Sequence, residues 1–201
     1  MITKVQAFDQ RFIDDEFVKE CERKHLKMQK KFGEEFTYKL KNRDFRGGRV
    51  LDLGCAFGET VIVLNKACED SSFTGIDISE KFIRRAKEKI ERLGLGERIH
   101  FLKADAHNLP FPNNYFDVII NTNMMHVVNN PVQMLNEMER VLSRDGIYFI
   151  ADIKKSFLGF IEKEIKSAYS INEIRDLIKK SNLREGVEQT SMLWWKYESH
   201  S

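Results

Sequence analysis

Residues 49–60, RVLDLGCAFGET, hold the side chains whose types and spacing are best suited to chemistry. A short apolar run ends in the acid Asp52, and Gly54 and Gly58 follow with the small Ala56 between them. The pattern predicts a buried strand that breaks into a tight turn. The backbone of that turn is bare enough for a ligand to lie against it.

The turn departs from the dinucleotide-binding fingerprint G-x-G-x-x-G. Counted from Gly54, the second and third glycine positions hold Ala56 and Glu59. A negative side chain at the start of the following helix also disfavours a pyrophosphate, which binds at a positive helix end. The sequence therefore favours a ligand without phosphate over the nicotinamide cofactor of a dehydrogenase, for which it also shows no substrate domain.

Strand-like and helix-like segments alternate along the chain, which is typical of a doubly wound, mostly parallel α/β sheet with helices on both faces. The apolar patterns predict strands at 49–53, 72–77, 98–105, 116–122 and 147–153, with one or two more within 187–198. They predict helices at 9–32, 59–68, 79–93, 131–145 and 170–181, with an irregular segment at 33–48.

Acidic side chains stand where three successive predicted strands end. In doubly wound sheets, ligands bind beyond the carboxyl ends of the strands, where the strand order reverses. The residues at those ends are 52–58, Asp77, Asp105 and Asn121. Any one of these acids alone would be an ordinary turn, capping or loop residue, but the three together predict a ligand site.

The order of these motifs resembles the class I S-adenosylmethionine-dependent methyltransferases. DLGCAFG is similar to their first motif, an acid followed by glycines at every second position, with Ala56 in place of the middle glycine. GIDIS, KADAHNLPF and FDVIINTNMMHVVNNP resemble the exits of the next three strands, and MERVLSRDGIYFIAD resembles the helix, turn and fifth strand that follow. The resemblance spans residues 49–152, and more loosely the rest. It implies a Rossmann-like sheet of seven strands with an antiparallel C-terminal strand.

The resemblance also implies roles for individual residues. Asp77 would accept hydrogen bonds from both ribose hydroxyls of the cofactor. Asp105 would accept from the adenine amino group, and the Ala106 amide would face the adenine ring. The implied cofactor-binding set is Asp52, Gly54, Cys55, Ala56, Gly58, Asp77, Ile78, Asp105, Ala106 and Asn121. No metal ion is expected.

Acidic residues suit this cofactor chemically. S-adenosylmethionine carries a sulfonium and an α-ammonium group, which a site lined by Asp52 and Glu59 would complement. Its hydroxyl and amino donors suit carboxylates. Methyl transfer needs mainly alignment and exclusion of water, and a general base only when the acceptor is protonated.

His126 is the candidate catalytic base, because NTNMMHVV leaves the fourth strand on the side where the methyl group would point. The alternative is a packing histidine. Met124 and Met125 would line the acceptor pocket or belong to the core.

A small molecule is the expected acceptor. Enzymes that methylate amino groups of nucleic acids carry Pro-Pro and an aromatic residue after the fourth strand, whereas here Asn121 is followed by TNM. A protein acceptor and a non-catalytic module that only binds the cofactor remain as alternatives.

Composition predicts a soluble cytoplasmic protein. Thirty-three Lys and Arg oppose 31 Asp and Glu, so the formal net charge of +2 gives no strong attraction to nucleic acid or anionic lipid. The three cysteines, Cys21, Cys55 and Cys68, lack metal-site spacing and fit a reducing compartment. No apolar run approaches the ~18 residues of a membrane span.

The chain, residues 1–201, is expected to be one domain. It would comprise an N-terminal helical cap at 1–48, a cofactor-binding core at 49–152, and a lid segment, helix and strands at 153–201. The helix around Phe17 and Cys21 and the segment 156–169 are read either as lids over the cofactor or as ordinary helices packed on the sheet.

Overall fold

The computed structural model describes residues 15–155 and 168–200. Its helices are α1 (Asp15–Asn42), α2 (Glu59–Asn65), α3 (Glu80–Leu93), α4 (Pro131–Val141) and α5 (Ile171–Lys180). Its strands are β1 (Arg49–Leu53), β2 (Ser72–Asp77), β3 (Ile99–Lys103), β4 (Phe116–Thr122), β5 (Leu142–Ile153), β6 (Gly186–Thr190) and β7 (Trp194–Ser199).

The strands described form one seven-stranded sheet in the order β3-β2-β1-β4-β5-β7-β6. Strands β1 to β5 pair in parallel, whereas β7 runs antiparallel to both β5 and β6. The predicted fold is therefore confirmed. The chain winds outward from β1 through β2 to β3 and then crosses to β4, so the strand order reverses between β1 and β4.

Local sequence signals explain where the helices begin and end. The Ser79 side chain accepts a hydrogen bond from the Phe82 amide at the start of α3, and Gly94 closes that helix in the left-handed conformation. Pro131 opens α4 behind the capping residue Asn130. At the start of α5, Ser170 and the residue three positions on form a capping box.

Two apolar clusters cover the two faces of the sheet. One joins α1, α2 and α3 to the sheet, and the other joins α4 and α5 to the opposite face. Central strand β4 is buried on both faces, with Val118, Ile119 and Ile120 at 0% exposure. This agrees with its unbroken apolar sequence.

Helix α1 extends beyond its predicted end. The segment 33–48 was expected to be irregular, but the helix continues to Asn42. Gly33, a helix breaker by propensity, lies where α1 crosses α2, and Phe36 and Leu40 beyond it are buried. Tertiary packing outweighs the local cost of glycine here.

The junction of α4 and β5 also differs from the prediction. The helix was expected to reach residue 145 and the strand to begin at 147, whereas α4 ends at Val141 and β5 begins at Leu142. The register between β4 and β5 shifts here, from Phe116 opposite Leu142 to Val118 opposite Ile147. An irregular stretch of strand thus takes the place of the predicted turn.

The lid hypothesis falls largely outside the described residues. These exclude 1–14 and 156–167, and for Phe17 and Cys21 only the helical backbone is described. The later part of α1 is part of the core, since Phe32 and Phe36 are buried against the sheet. None of the helices described is long and apolar enough to cross a bilayer.

The α1–α2 crossing yields a stability prediction. A Cβ atom at Gly33 would lie 2.7 Å from Val63 Cβ, so we expect Gly33→Val to reduce the free energy of unfolding by about 2 kcal/mol through overpacking. Gly96 faces open space, and Gly96→Val should change the free energy of unfolding by no more than about 0.5 kcal/mol. Urea denaturation of both variants measures the difference, and equal losses would contradict the close crossing.

Candidate functional site

The end of β1 places a carboxylate inside the protein at the strand-order reversal. Asp52 is 1% exposed, and neither of its carboxylate oxygens has a hydrogen-bond partner among the described residues. Burial, and secondarily the nearby carboxylate of Asp77, raise the pKa of Asp52 to about 7. A buried carboxyl group without a partner is costly, which marks a place where a ligand can supply the missing donor.

The turn after Asp52 has the bare backbone that its sequence predicts. Gly54, Ala56 and Gly58 have φ angles of +82°, +45° and +72°, so all three lie in the left-handed region. The amides of Gly54 and Cys55 both donate to the carbonyl of Ile76 at 2.9 Å, which ties the turn to β2. A side chain at Gly58 would overlap the ring of Phe101, so glycine is required there.

Asp77 ends β2 and is aligned by the backbone around it. Its Oδ2 accepts from the Ala56 amide at 3.0 Å, and its Oδ1 accepts from the Ser79 amide at 2.9 Å. These two hydrogen bonds fix the orientation of the Asp77 carboxylate at the end of β2. The side chain is 9% exposed, and Ile78 beside it is half-buried.

Asp105 lies beyond β3, where contacts with His107 hold its side chain. Its Oδ1 accepts from the His107 amide at 2.9 Å and lies 2.7 Å from His107 Nδ1. The His107 Nε2 accepts from the Asn130 amide at 3.3 Å, so the ring proton is on Nδ1 and is donated to Asp105. The Asp105 side chain is 52% exposed, and the neighbouring Ala106 is buried.

Buried oxygens without donors surround the glycine turn. Among the described side chains that have such oxygens are Gln29, Asp52, Asn121 and Asn123. Gln29 reaches the turn from α1 and donates to the Cys55 carbonyl at 3.3 Å, while Asn121 donates to the Leu53 carbonyl at 3.1 Å. These oxygens can only accept, so they complement a ligand rich in donors or positive charge.

One residue near the turn differs from its predicted role. Glu59 does not line the site with Asp52: its buried carboxylate lies 2.6 Å from Lys89 Nζ and 3.6 Å from Lys30 Nζ, so α1 and α3 neutralise its charge. Burial raises the pKa of the Cys55 thiol, and the carboxylates of Asp52 and Asp77 add to the shift. Cys55 is therefore a small apolar residue and not a nucleophile.

Met124 covers the turn in this conformation. A side chain at Gly54 would meet the Met124 thioether, in the space where the sequence predicts a ligand against the backbone. Met124 is half-buried, and its unbranched side chain has rotatable bonds that let it turn away. Met125 is 1% exposed and belongs to the core. The space beside the turn therefore has a flexible wall.

His126 lies beyond the ends of β4 and β5 and forms a buried pair with Asp152. The His126 Nδ1 is 2.6 Å from Asp152 Oδ1, and its backbone amide donates to Asp152 Oδ2 at 3.4 Å. The two side chains are 5% and 2% exposed. A carboxylate at Nδ1 places the ring proton there and leaves Nε2 able to accept a proton.

The tertiary structure thus brings most of the predicted residues to one edge of the sheet. Asp52, the turn, Asp77 and His126 all lie at the carboxyl ends of β1, β2 and β4, with Asp105 beyond β3. Sequence reasoning missed Gln29, Asn123 and Asp152. Gln29 and Asp152 are joined to the site only through contacts distant in sequence, although Asp152, like Asp52, ends a buried strand. Within the described residues, no three His, Cys, Asp or Glu side chains are grouped to hold a metal ion.

Comparison with known proteins agrees with this geometry. The sequence profile of the family described as "Methyltransferase domain" matches residues 44–196. The crystal structure of a SAM-dependent methyltransferase from Aquifex aeolicus superposes with a TM-score of 0.69 at 24% identity, over 81% of this chain and 87% of that one. At this identity the likeness shows the fold.

Curated relatives are similar over part of their length. Phthiotriol/phenolphthiotriol dimycocerosates methyltransferase of Mycobacterium leprae is 34% identical over 110 residues, which are 55% of this chain and 39% of that protein. Phosphatidylethanolamine N-methyltransferase of Cereibacter sphaeroides is 35% identical over 101 residues, 50% of this chain and 48% of that protein. The chain therefore spans less than half the length of these two relatives.

The left-handed conformation of Ala56 predicts a stabilising substitution. An L-residue with a Cβ atom pays roughly 1–2 kcal/mol in this region, and glycine avoids most of that cost. We expect Ala56→Gly to raise the free energy of unfolding by about 1 kcal/mol. Urea denaturation measures this free energy. The control is Ala67→Gly, in a turn without positive φ, which is expected to be neutral or destabilising. A loss of stability in Ala56→Gly would contradict the inferred backbone strain at Ala56.

The raised pKa of Asp52 predicts that ligand binding depends on pH. Below about pH 7 the carboxyl is protonated, and an ammonium group binds the ionised form better, so affinity should rise as pH increases through this value. Calorimetry with S-adenosylhomocysteine, which keeps the α-ammonium, should show about tenfold weaker binding at about pH 6 than on the plateau above about pH 8, with proton release on binding.

Asp52→Asn is the matched control for that titration. It keeps the shape of the side chain and removes the ionisation, so its affinity should be lower and flat across this pH range. An unchanged slope in the variant would assign the titration to another group.

Proposed function

Because the chain belongs to the methyltransferase-domain family of class I S-adenosylmethionine-dependent enzymes, we propose that it transfers the methyl group to a small-molecule acceptor. The cofactor supplies a methyl carbon made electrophilic by a sulfonium. The chain has to bind that cofactor, orient an acceptor against the methyl group and exclude water. Alignment of this kind can lower a barrier by roughly 7–11 kcal/mol.

Asp52 carries the proposal. Its buried carboxylate has no donor among the described residues and lies at the strand-order reversal beside the glycine turn. The buried oxygens of Gln29 and Asn123 around it also lack donors. A cationic ligand with an ammonium group satisfies such a site, whereas a phosphate would add negative charge where acceptors already predominate.

Asp77 and Asp105 support the adenosine half of the site. Two backbone amides fix the Asp77 carboxylate, which would accept hydrogen bonds from the ribose hydroxyls. His107 fixes Asp105 at the end of β3, where its exposed carboxylate would accept from the adenine amino group. Cys55, Ala56, Ile78 and Ala106 would form the walls between these acids, and Asn121 the floor.

The acceptor is assigned to small molecules on two grounds. Helix α1 closes one side of the site through Gln29, and the Met28 sulfur accepts from the side-chain Nδ2 of Asn123 at 3.2 Å, which favours an enclosed pocket over an open groove. The two relatives described above are named for phthiotriol/phenolphthiotriol dimycocerosates and for phosphatidylethanolamine. His126 is the candidate base for an acceptor that must lose a proton.

Cofactor binding tests the proposal directly. We expect S-adenosylhomocysteine to bind with micromolar affinity, and Asp77→Asn to weaken binding by about 1.5–3 kcal/mol because charge-assisted hydrogen bonds to the ribose are lost. Asp145→Asn makes the same chemical change at an exposed position on β5 and should bind like the parent. Absence of binding by the parent protein would refute the proposal, and equal binding by Asp77→Asn would refute the ribose assignment alone.

A further inference from the structure

Two histidine–aspartate pairs lie at this edge of the sheet, and they differ in what the second ring nitrogen does. In the His107–Asp105 pair, Nε2 accepts from the Asn130 amide, so both ring nitrogens hold loops together. In the His126–Asp152 pair, Nδ1 contacts Asp152, and Nε2 makes no hydrogen bond within the described part of the chain. The first pair therefore connects two loops through both ring nitrogens, whereas in the second pair Nε2 of His126 can still accept a proton.

Asp152 restrains His126 in two ways. One carboxylate oxygen lies 2.6 Å from Nδ1, and the other accepts from the His126 backbone amide at 3.4 Å. With only 2% of Asp152 exposed, little water competes for the carboxylate. This arrangement fixes the tautomer with the proton on Nδ1, and it stabilises the imidazolium that forms when Nε2 takes up a proton.

The pair lies next to the predicted cofactor turn. His126 follows Met124 by two residues, and Met124 packs against Gly54. Asp152 is the last residue but one of β5, the neighbour of β4, so it lies at the same edge of the sheet as Asp52. The His126–Asp152 pair therefore lies at the edge of the sheet that carries the glycine turn, two residues along the chain from the side chain that covers Gly54.

We propose that Asp152 is a positioning residue that holds His126 as the general base, and that the methyl acceptor is a hydroxyl group. This rests on the proposed function. A hydroxyl is a poor nucleophile until its proton leaves, whereas an unprotonated amine or a thiolate needs no base in the transition state. In the transfer, the acceptor oxygen bonds to the methyl carbon, the carbon–sulfur bond breaks with its electron pair remaining on sulfur, and the hydroxyl proton moves to Nε2 of His126. Solvent later removes that proton.

The role of the His126–Asp152 pair can be tested without any methyl acceptor. Diethyl pyrocarbonate modifies unprotonated imidazole nitrogen, and peptide mapping reports each histidine separately, with the exposed His100 as internal reference. In the parent protein, S-adenosylhomocysteine at about ten times its Kd should slow modification of His126 about tenfold, since about a tenth of the sites stay free, and should leave His100 unchanged. Absence of protection, in a protein that binds this ligand, would overturn the placement of Nε2 and leave the proposed function standing.

Asp152→Asn separates positioning from packing. We expect this variant to bind S-adenosylhomocysteine within about threefold of the parent, while modification of His126 Nε2 falls about tenfold or more and imidazole ¹⁵N shifts show loss of the Nδ1–H tautomer. Asp145→Asn should change neither. Unaltered reactivity and tautomer in Asp152→Asn would overturn the positioning role.

The acceptor class has its own test. With methyl-labelled cofactor and acceptors that share one aromatic ring but carry a hydroxyl, amino or thiol group, we expect label on the hydroxyl, reduced about a hundredfold in Asp152→Asn. Label confined to the amino or thiol compounds, or no label on any hydroxyl compound of the set, would overturn the hydroxyl assignment. The modification of His126 by diethyl pyrocarbonate would still test whether Asp152 positions His126.

Discussion

The burial of Asp52 is the constraint on which the rest of the site depends. A carboxyl group at the end of a central strand, without a donor among the described residues, is unfavourable for the folded protein by itself. Its raised pKa reflects that cost. The sheet maintains this position because strands on both sides hold β1 in place, and a bound cation would remove the penalty. The residue is thus better suited to binding than to stability.

Helix α1 links that site to the far edge of the sheet. Its earlier part reaches the glycine turn through Gln29, and its later part pairs with β7, where Lys39 and Arg43 both contact Glu198. Phe36 stacks on Phe149 of β5 between these two ends. The helix that contacts the glycine turn is therefore anchored on β5 and β7.

Charge is distributed unevenly around the turn, and the distribution determines what can bind. Lys30 and Lys89 neutralise Glu59 at the start of α2, whereas the carboxylate oxygens of Asp52 have no hydrogen-bond partner among the described residues. The negative charge at the helix start is thereby compensated, and the Asp52 carboxylate would complement a sulfonium or ammonium group. This distribution of charge would disfavour a phosphate at the turn and favour a cationic ligand.

The sequence by itself determined the sheet and the acids at its edge. The spacing from Asp52 to Gly58, the alternating apolar runs and the capping residues are local features, so they predicted the strands, most helices and the positions of Asp77 and Asp105. Tertiary structure decided the rest. Gly33 disfavours a helix by propensity but permits the crossing of two helices. Glu59 was predicted as a site acid, but two distant lysines pair with it. Asp152 is the partner of His126 because β5 aligns beside β4. Such contacts join residues 26 or more positions apart, and no local pattern encodes them.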